Sequence, residues 1–269
     1  MQYKQGFLTI LLAMMLGFSS CGNNDEPEID LDLGADIRLP DNETVILDAG
    51  NEGASYKWST GASTRHIEVD TSGTYWVEVS AHGQTKTDTV QVELLWRTVK
   101  LESTMGTMQL WLYRETPLHK EGFLKLVNEG YFSSHNFNRV INQFVIQGGC
   151  PDLPDGFTDT SLFVAPEFHK HLTHKYGALG GGRDDNPGKK TNICQFYIVD
   201  KQNGPYDIKN LDANYTIFGK VIQGLDVVQD ISKVDTDEDD APVENVGFSL
   251  TMELYSAEEL REQFDFEVL

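Results

Sequence analysis

The sequence predicts a mainly β protein in which a small antiparallel β-sandwich precedes a closed β-barrel capped by two helices. Short segments that alternate apolar and polar residues recur between residues 36 and 95, separated by Asp, Asn, Gly or Ser turns. Longer alternating segments recur between residues 99 and 255 with only two helical segments among them, which does not fit βαβ alternation. The length of 269 residues and the apolar content of 39% suffice for two packed cores.

The N-terminus is typical of a targeting segment rather than of a folded one. Lys4 provides a positive start, and the apolar stretch over residues 7–18 is too short to span a bilayer. Phe18-Ser19-Ser20-Cys21 resembles a bacterial lipobox, which implies a signal peptide over residues 1–20 and a lipid on Cys21. An ordinary secretory signal with an incidental cysteine is the alternative.

The mature chain is expected to begin with an acidic, disordered tether over residues 21–35. The lipid on Cys21 would attach it stably to a membrane. We therefore expect an outer-membrane-anchored lipoprotein of the cell envelope, facing the periplasm or the cell surface. The net charge of −21 and the pI of about 4.5 argue against nucleic acid as a partner, because phosphates attract basic surfaces.

The sandwich is predicted over residues 36–95. Its strands are expected at residues 44–47, 56–58, 66–69, 74–79 and 89–92. Trp58 and the turn Ser72-Gly73-Thr74-Tyr75 resemble bacterial Ig-like modules, and the expected role of this module is that of a spacer. A partner site on Trp58, Trp76 or the loops is the alternative, although so small a sandwich needs its large aromatic residues for the core.

The barrel is predicted over residues 99–255 and is followed by a C-terminal tail over residues 256–269. Its two helices are expected over residues 119–129, where Gly130 is a natural stop, and over residues 225–231. Its strands are expected at residues 107–113, 144–147, 178–179, 195–199, 216–221 and 247–254.

The most informative segment is residues 137–149, an alternating apolar run with one arginine that ends in a glutamine and a glycine pair. Strand alternation directs Arg139, Val145 and Gln147 toward a common face. A buried cation beside apolar side chains is costly unless something uses it. Arg139 is therefore a candidate functional residue.

This run closely resembles the signature of cyclophilin-type peptidyl-prolyl cis-trans isomerases. Further segments similar to that family follow in family order over residues 106–117, 123–126, 130–132, 165–168, 174–183, 195–199 and 211–221. The resemblance implies a cyclophilin fold for the second unit. It also implies that this unit rotates X-Pro bonds in proline-containing polypeptides, with no cofactor and no metal.

The resemblance also implies a set of site residues. Arg139 corresponds to the catalytic arginine, and Gln147 corresponds to a side chain that orients the arginine and the peptide. The implied substrate-binding residues are Phe144, Val145, Tyr197 and Leu211 in the walls of the proline pocket, Tyr215 at its edge, Gln195 beside the peptide, and the backbone of Arg183 along the substrate main chain. Arginine suits this reaction because it stays protonated and presents its donors in a fixed fork.

The chain departs from the family pattern at several positions. Asn138 stands where histidine is usual, and Val145 stands where methionine is common. Gly181-Gly182 replaces a bulkier pair, which is expected to loosen the segment that grips the peptide. Asn210 replaces an aromatic residue that contacts cyclosporin in many relatives, so tight cyclosporin binding is doubtful. Tyr215 occupies a position that is histidine in some relatives.

Two clusters have more than one interpretation. Cys150 and Cys194 could pair in an oxidising compartment or remain two buried thiols. His169, His171 and His174 lie close together in the sequence, but no nearby cysteine completes a metal set. We interpret them as incidental surface histidines and expect no metal site.

Two functional hypotheses compete with catalysis. The second unit could be a catalytically weak cyclophilin-fold module that binds or scaffolds proline-containing peptides, as Asn138 and Gly181-Gly182 would permit. The chain could also be a surface adhesin that acts through the Ig-like module.

Overall fold

The computed structural model describes residues 28–152, 156–200 and 208–268. The predicted signal peptide and the lipidation site Cys21 lie outside these residues. Strands account for 41% and helices for 14%, so the predicted mainly β class is confirmed. Among the described residues, no helix combines the length and the apolar character that crossing a bilayer requires.

The first unit consists of two sheets packed on one apolar core. Its strands are β1 (Ile37–Pro40), β2 (Val45–Asp48), β3 (Ser55–Trp58), β4 (His66–Val69), β5 (Gly73–Ala81) and the first half of β6 (Gln84–Ser103). The larger sheet has the order β3-β5-β6-β1, with β1 parallel to β6, and the smaller sheet is the antiparallel pair β2-β4. Trp58 is 1% exposed and donates its indole N–H to the Thr64 carbonyl oxygen at 2.8 Å, so it is a core residue.

The described part of the predicted tether is packed rather than disordered. Ile29 is buried in the core of the first unit, and Leu31 and Leu33 pack against the same core. The Lys86 ammonium donates to the Ile29 carbonyl oxygen at 2.7 Å. The acidic composition predicted disorder here. The alternation of Ile29, Leu31 and Leu33 outweighs it, because an extended segment with apolar side chains on one face can bury that face.

The second unit is built around eight strands hydrogen-bonded in a closed ring. Its elements are the second half of β6, β7 (Gly106–Leu112), α1 (Pro117–Asn128), β8 (His135–Ile141), β9 (Val145–Gly149), β10 (Phe163–Val164), β11 (Ala178–Gly181), β12 (Thr191–Asn192), β13 (Gln195–Val199), β14 (Ile217–Gln223), α2 (Leu225–Ile231) and β15 (Gly247–Tyr255). The ring runs β15-β8-β9-β13-β11-β14-β7-β6 and closes because β15 also pairs with β6. Strands β10 and β12 form a separate pair.

Helix α1 packs the apolar side chains Phe123, Leu124, Leu126 and Val127 into the core of the ring. The carboxylate of Glu167 accepts the backbone N–H groups of Leu118 and His119 at 3.0 Å each, which satisfies two free donors of the first turn. The helix ends before Gly130, which adopts a left-handed φ of 72°, as the sequence predicts.

The two units share strand β6 rather than a linker. The sequence predicted a boundary between residues 95 and 99, but β6 runs for 20 residues and pairs with β5 in the first unit and with β7 and β15 in the second. Residues 94–99 are buried on both faces of the strand because the two units meet there. Strands buried on both faces lose their apolar-polar alternation, which explains why the predicted boundary fell at this point.

The C-terminal tail fastens the units further. Helix α3 (Ala257–Phe264) begins with a capping box in which Ser256 and Glu259 bond to each other's backbone N–H groups. Leu260 is buried in the core that the first unit shares with Trp111 of β7. Phe266 packs on Trp111 with a centroid separation of 4.8 Å, so the tail crosses the junction between the units.

Candidate active site

The nine catalytic and substrate-binding residues that the sequence singled out line one cleft of about 160 Å³. They are Arg139, Phe144, Val145, Gln147, Arg183, Gln195, Tyr197, Leu211 and Tyr215. Strands β8, β9 and β13, the turn between β8 and β9, and the segments after β11 and before β14 contribute them. Asp152 and Gly182 complete the lining, and sequence reasoning missed Asp152 as a site residue.

Arg139 lies on β8 directly opposite Gln147 of β9, after a break in the strand register between Phe137 and Arg139. Its side chain is 37% exposed rather than buried, so the expectation of a buried cation is wrong. One guanidinium nitrogen lies 3.3 Å from the carboxylate of Asp240. Arg139 lines the cleft, and this ion pair involves only one nitrogen of a group that has five N–H donors.

The apolar part of the cleft belongs to a small core of its own. Val145 and Tyr197 are nearly buried, and Phe144, Leu211 and Tyr215 pack against the same cluster. A row of apolar and aromatic side chains therefore forms one side of a cleft whose other side carries Arg139 and the amides. Such a combination is typical of a binding site for a small, mostly apolar group.

Tyr197 is held from behind by a chain of hydrogen bonds. Its hydroxyl lies 2.7 Å from Nε2 of the buried His174, and Nδ1 of His174 lies 2.7 Å from the Asp212 carboxylate. Because a carboxylate only accepts, Nδ1 carries the proton and Nε2 accepts from Tyr197. Burial lowers the pKa of His174 in spite of Asp212 and raises the pKa of Tyr197, so both groups stay neutral at pH 7.

Gly180 is required by this arrangement. A Cβ at Gly180 would collide with the ring and hydroxyl of Tyr197, which lies opposite it on β13. The glycine therefore makes room for the tyrosine hydroxyl that reaches His174. The sequence points to Tyr197 as a pocket residue but does not point to His174 as its partner.

The polar side of the cleft is organised by Asp152. Its two carboxylate oxygens accept from the side-chain amide of Gln195 at 2.9 Å and from that of Gln147 at 3.3 Å. The Gln195 amide also donates to the carbonyl oxygen of Cys150 at 3.1 Å. Asn138, which replaces the usual histidine, donates to the carbonyl oxygen of Gly149, the last residue of β9, at 2.9 Å.

A disulfide joins Cys150 and Cys194, whose Cα atoms lie 5.4 Å apart. Of the two interpretations that the sequence allowed, the structure shows the paired one. Cys150 follows β9, which carries Gln147, and Cys194 precedes β13, which carries Gln195. The bond therefore links the two strands that carry the polar site residues.

Arg183 also lines the cleft. Its guanidinium lies 4.6 Å from the centre of the Tyr215 ring and donates to the Asn214 carbonyl oxygen at 2.9 Å. Gly181 and Gly182 are buried, and their N–H groups donate to the carbonyl oxygens of Thr216 and Gln195. A Cβ at Gly182 would collide with the Gln195 side chain. The glycine pair thus tightens this segment instead of loosening it.

The three histidines do not meet at one point. The rings of His169 and His171 lie 5.7 Å apart, and His171 is on the surface 3.6 Å from Glu115. His174 is buried with its ring nitrogens engaged by Asp212 and Tyr197, so the interpretation as a surface histidine is wrong for this residue. The described residues contain no group of three or more side chains arranged to hold a metal ion.

Comparison with known proteins assigns the cleft to a family. The family model described as cyclophilin type peptidyl-prolyl cis-trans isomerase/CLD matches residues 98–250, more than half of the chain. The chain belongs to the cyclophilin family. Its second unit is a cyclophilin-type peptidyl-prolyl cis-trans isomerase domain, and the predictions of an enzyme and of a cyclophilin fold are confirmed.

Two named relatives support this assignment. The chain is 35% identical over 150 residues to the peptidyl-prolyl cis-trans isomerase ppi1 of Schizosaccharomyces pombe, covering 54% of this chain and 92% of that protein. It is 38% identical over 152 residues to the peptidyl-prolyl cis-trans isomerase CYP71 of Arabidopsis thaliana, covering 55% of this chain but only 23% of that protein. The cyclophilin match leaves the first unit of this chain uncovered.

A solved structure shows the same fold. The cyclophilin type peptidyl-prolyl cis-trans isomerase of Cryptosporidium parvum, crystallised in the presence of the dipeptide Ala-Pro, superposes with a TM-score of 0.50 at 23% sequence identity. The superposition covers 58% of this chain and 98% of that one.

Proposed function

We propose that this chain is a lipid-anchored isomerase of the cell envelope that rotates X-Pro bonds in exported or surface proteins and so assists their folding. The observation that carries the catalytic part is the position of Arg139, in the lining of a cleft that also contains the apolar and polar side chains named above. This arrangement matches a reaction that needs a grip on a pyrrolidine ring and one donor beside the peptide bond.

The chemistry explains why these residues suffice. Rotation about a peptide bond has a barrier of about 18–20 kcal/mol, because twisting removes amide resonance. Without a catalyst, X-Pro bonds isomerise in roughly 10–100 s. The nitrogen of a twisted amide regains its lone pair and can accept a hydrogen bond that the planar amide cannot. A donor aimed at that nitrogen stabilises the transition state selectively, and only such binding raises the rate.

Each side of the cleft has a role in this mechanism. Phe144, Val145, Tyr197 and Leu211 hold the proline ring, Tyr215 borders it, and the backbone of Arg183 pairs with the substrate main chain. Arg139 donates to the twisted nitrogen, while Gln147 and Gln195 orient the arginine and the peptide. Holding the ring while the preceding residue turns contributes the part of the rate enhancement that one hydrogen bond cannot supply.

The catalytic assignment is tested by Arg139→Ala. A charge-assisted hydrogen bond contributes about 1.5–3 kcal/mol, so we expect kcat/KM on a proline tetrapeptide to fall about 10- to 150-fold. Arg65→Ala is the matched control, because Arg65 is a half-exposed arginine of the first unit paired with Asp48. Equal rates in wild type and Arg139→Ala would remove Arg139 from the mechanism and favour the peptide-binding scaffold.

The location in the envelope is supported by two features. The N-terminal pattern that ends in Cys21 resembles a lipoprotein signal. The Cys150–Cys194 disulfide favours an oxidising compartment, because cytosolic thiols are kept reduced. Expression of wild type and Cys21→Ala, followed by fatty-acid labelling and membrane fractionation, tests this part. Wild type is expected in the outer-membrane fraction and the variant in the soluble fraction; an unlabelled wild type would contradict the anchor.

The first unit is proposed to be an Ig-like module that acts as a spacer, and the ring of the second unit to be the closed barrel of cyclophilins. The spacer role is supported by the core position of Trp58 and by the shared strand β6, which would hold the isomerase at a fixed distance from the anchor. If a soluble form of the first unit captured envelope proteins as well as the whole chain does, the adhesin hypothesis would replace the spacer.

A further inference from the structure

Asp152 lies in the cleft in a way that the resemblance to the family does not explain. Its carboxylate contacts two neutral amides, those of Gln147 and Gln195, at 3.3 and 2.9 Å. The carboxylate is exposed, and it lines the same cleft as the pocket residues. Asp152 is therefore placed to meet a bound peptide directly.

The carboxylate fixes the orientation of both amides. Because an ionised carboxylate only accepts hydrogen bonds, the NH₂ groups of Gln147 and Gln195 must point toward it. The second N–H of Gln195 goes to the Cys150 carbonyl oxygen, and its own side-chain oxygen lies beside Gly182. The side-chain oxygen atoms of Gln147 and Gln195 are thereby left as hydrogen-bond acceptors. This part of the cleft therefore offers a bound peptide two acceptors next to a negative charge.

Among the residues that the structure describes, none supplies a cation that pairs with Asp152. In the described part of the chain, no Lys, Arg or His nitrogen lies within 4.0 Å of it, whereas the two cations of the cleft have their own partners. Arg139 pairs with Asp240, and Arg183 is bound to carbonyl oxygens and stacked on Tyr215. A cationic group of the substrate would supply the missing partner.

The carboxylate is also held in place. The Cys150–Cys194 disulfide lies two residues before it, the Cys150 N–H donates to the Cys194 carbonyl oxygen at 2.9 Å, and Asn138 bonds to Gly149. A charge carried by such an anchored segment acts on a ligand without first having to be ordered.

We propose that Asp152 is a specificity-determining residue of the isomerase, which favours proline peptides with Lys or Arg beside the X-Pro bond over peptides with Asp or Glu there. This proposal rests on the isomerase activity of the cleft. It names the substrate class as cationic X-Pro segments.

The test uses the full chain and a matched series of N-acetylated proline tetrapeptides. Lys, Gln or Glu is placed in turn at each of the two residues before proline and at the residue after it. Asp152→Asn removes the charge and keeps the shape. An exposed ion pair changes a binding equilibrium by about two- to fivefold. Asp152→Asn loses both the attraction to the Lys peptide and the repulsion of the Glu peptide, so the two factors multiply in their ratio. The ratio of kcat/KM for the Lys peptide to that for the Glu peptide is therefore expected to fall about 4- to 25-fold in Asp152→Asn, at one position at least.

Two controls separate this role from general effects of charge. Asp185→Asn removes an exposed carboxylate near Arg183 that does not line the cleft, and it should leave the ratio unchanged. Raising the salt concentration should reduce the ratio of the wild type but not that of Asp152→Asn, because exposed charges are screened. A role confined to holding the glutamines would lower all three rates together without changing their ratio.

The outcomes are distinct. An unchanged Lys-to-Glu ratio at all three positions, with turnover intact, would overturn the specificity proposal and leave the isomerase assignment standing. Absence of turnover on every peptide would overturn catalysis. The specificity would then be decided by the ratio of the dissociation constants of the Glu and Lys peptides, and the same ratio in wild type and Asp152→Asn would overturn it.

Discussion

Two arginines of this chain bind carboxylates in opposite ways. Arg97, at the junction of the two units, is 8% exposed and directs all its nitrogens at acids: Nε lies 2.6 Å from Asp41, and the two terminal nitrogens lie 2.9 and 2.7 Å from Glu121. Asp41 also accepts from the buried Lys120 at 2.6 Å. Arg139, at the cleft, is 37% exposed and meets one carboxylate, that of Asp240, at 3.3 Å.

The difference separates a structural cation from a functional one. A buried guanidinium must have its donors satisfied within the protein, since an unpaired buried charge is very costly. A guanidinium that serves a substrate must keep donors available, and it can do so only if water satisfies them in the free enzyme. The half-exposed position of Arg139 is therefore a requirement of its proposed role, and the buried position of Arg97 excludes a similar role.

The largest predicted effect is on stability, in Asp41→Ala. This change leaves Lys120 and one face of Arg97 without their carboxylate in a buried site, so we expect the free energy of unfolding to fall by about 3–5 kcal/mol. Urea unfolding measures it, with Asp48→Ala as control. Asp48 pairs with Arg65 on the surface, and such pairs contribute at most about 1 kcal/mol. The isomerase rate per folded molecule should not change; a fall in that rate would show that the junction also shapes the cleft.

Exchanging each arginine for lysine sharpens the comparison. Lys keeps the charge but loses the fork. Arg97→Lys cannot make all three bonds to Asp41 and Glu121, and we expect a loss of stability of about 1.5–3 kcal/mol with normal activity. Arg139→Lys should retain its stability within about 0.5 kcal/mol and lose activity about tenfold, since a single ammonium does not reproduce the geometry at the amide nitrogen. The opposite pattern at either position would contradict the division of roles.

Acid should weaken the buried ion-pair cluster at the junction. Burial by itself raises the pKa of Asp41, but the hydrogen bonds and charges of Arg97 and Lys120 outweigh it, so the pKa of Asp41 lies below its ordinary value of 3.8. A lowered pKa in the folded state means that this stabilisation is fully present above about pH 4 and is lost as the pH falls through the folded value. The difference in free energy of unfolding between wild type and Asp41→Asn should therefore stay constant from pH 7 to about pH 5 and narrow below pH 4. A constant difference down to pH 3 would contradict the role of the ionised carboxylate.

The contrast also shows what the sequence could and could not predict. The residues of the cleft were found because they fall in short family-like segments, in which each position has a recognisable type. Asp152 was missed because its contacts to Gln195 span 43 residues and its loop has no periodicity. The junction was missed for a similar reason, since Asp41 and Lys120 are 79 residues apart and both resemble ordinary surface charges.

One signal for the junction was present in the sequence. Lys120, Leu124 and Val127 recur at the spacing of one helical face, and the two apolar residues belong to the core. A lysine on that face must find a buried acid. Sequence alone could not say which acid, because that depends on how the first unit docks on the second, and the alternation of β6 is interrupted at that contact.

The smallest predicted effect concerns Asp240, the partner of Arg139. Its loop is fixed to the site, because the Val140 N–H donates to the Asp240 carbonyl oxygen at 2.8 Å. Asp240→Asn therefore keeps the loop and removes only the charge beside the guanidinium. Exposed pairs of this kind contribute up to about 1 kcal/mol, so we expect kcat to fall two- to fivefold, roughly, with KM nearly unchanged, because the arginine loses orientation and the proline pocket stays intact. Asp239→Asn, an exposed neighbour, should change neither constant. A rise in kcat would mean that the ion pair with Asp240 holds Arg139 away from the substrate. The pair would then be structural, as the carboxylate contacts of Arg97 are, in spite of the greater exposure of Arg139.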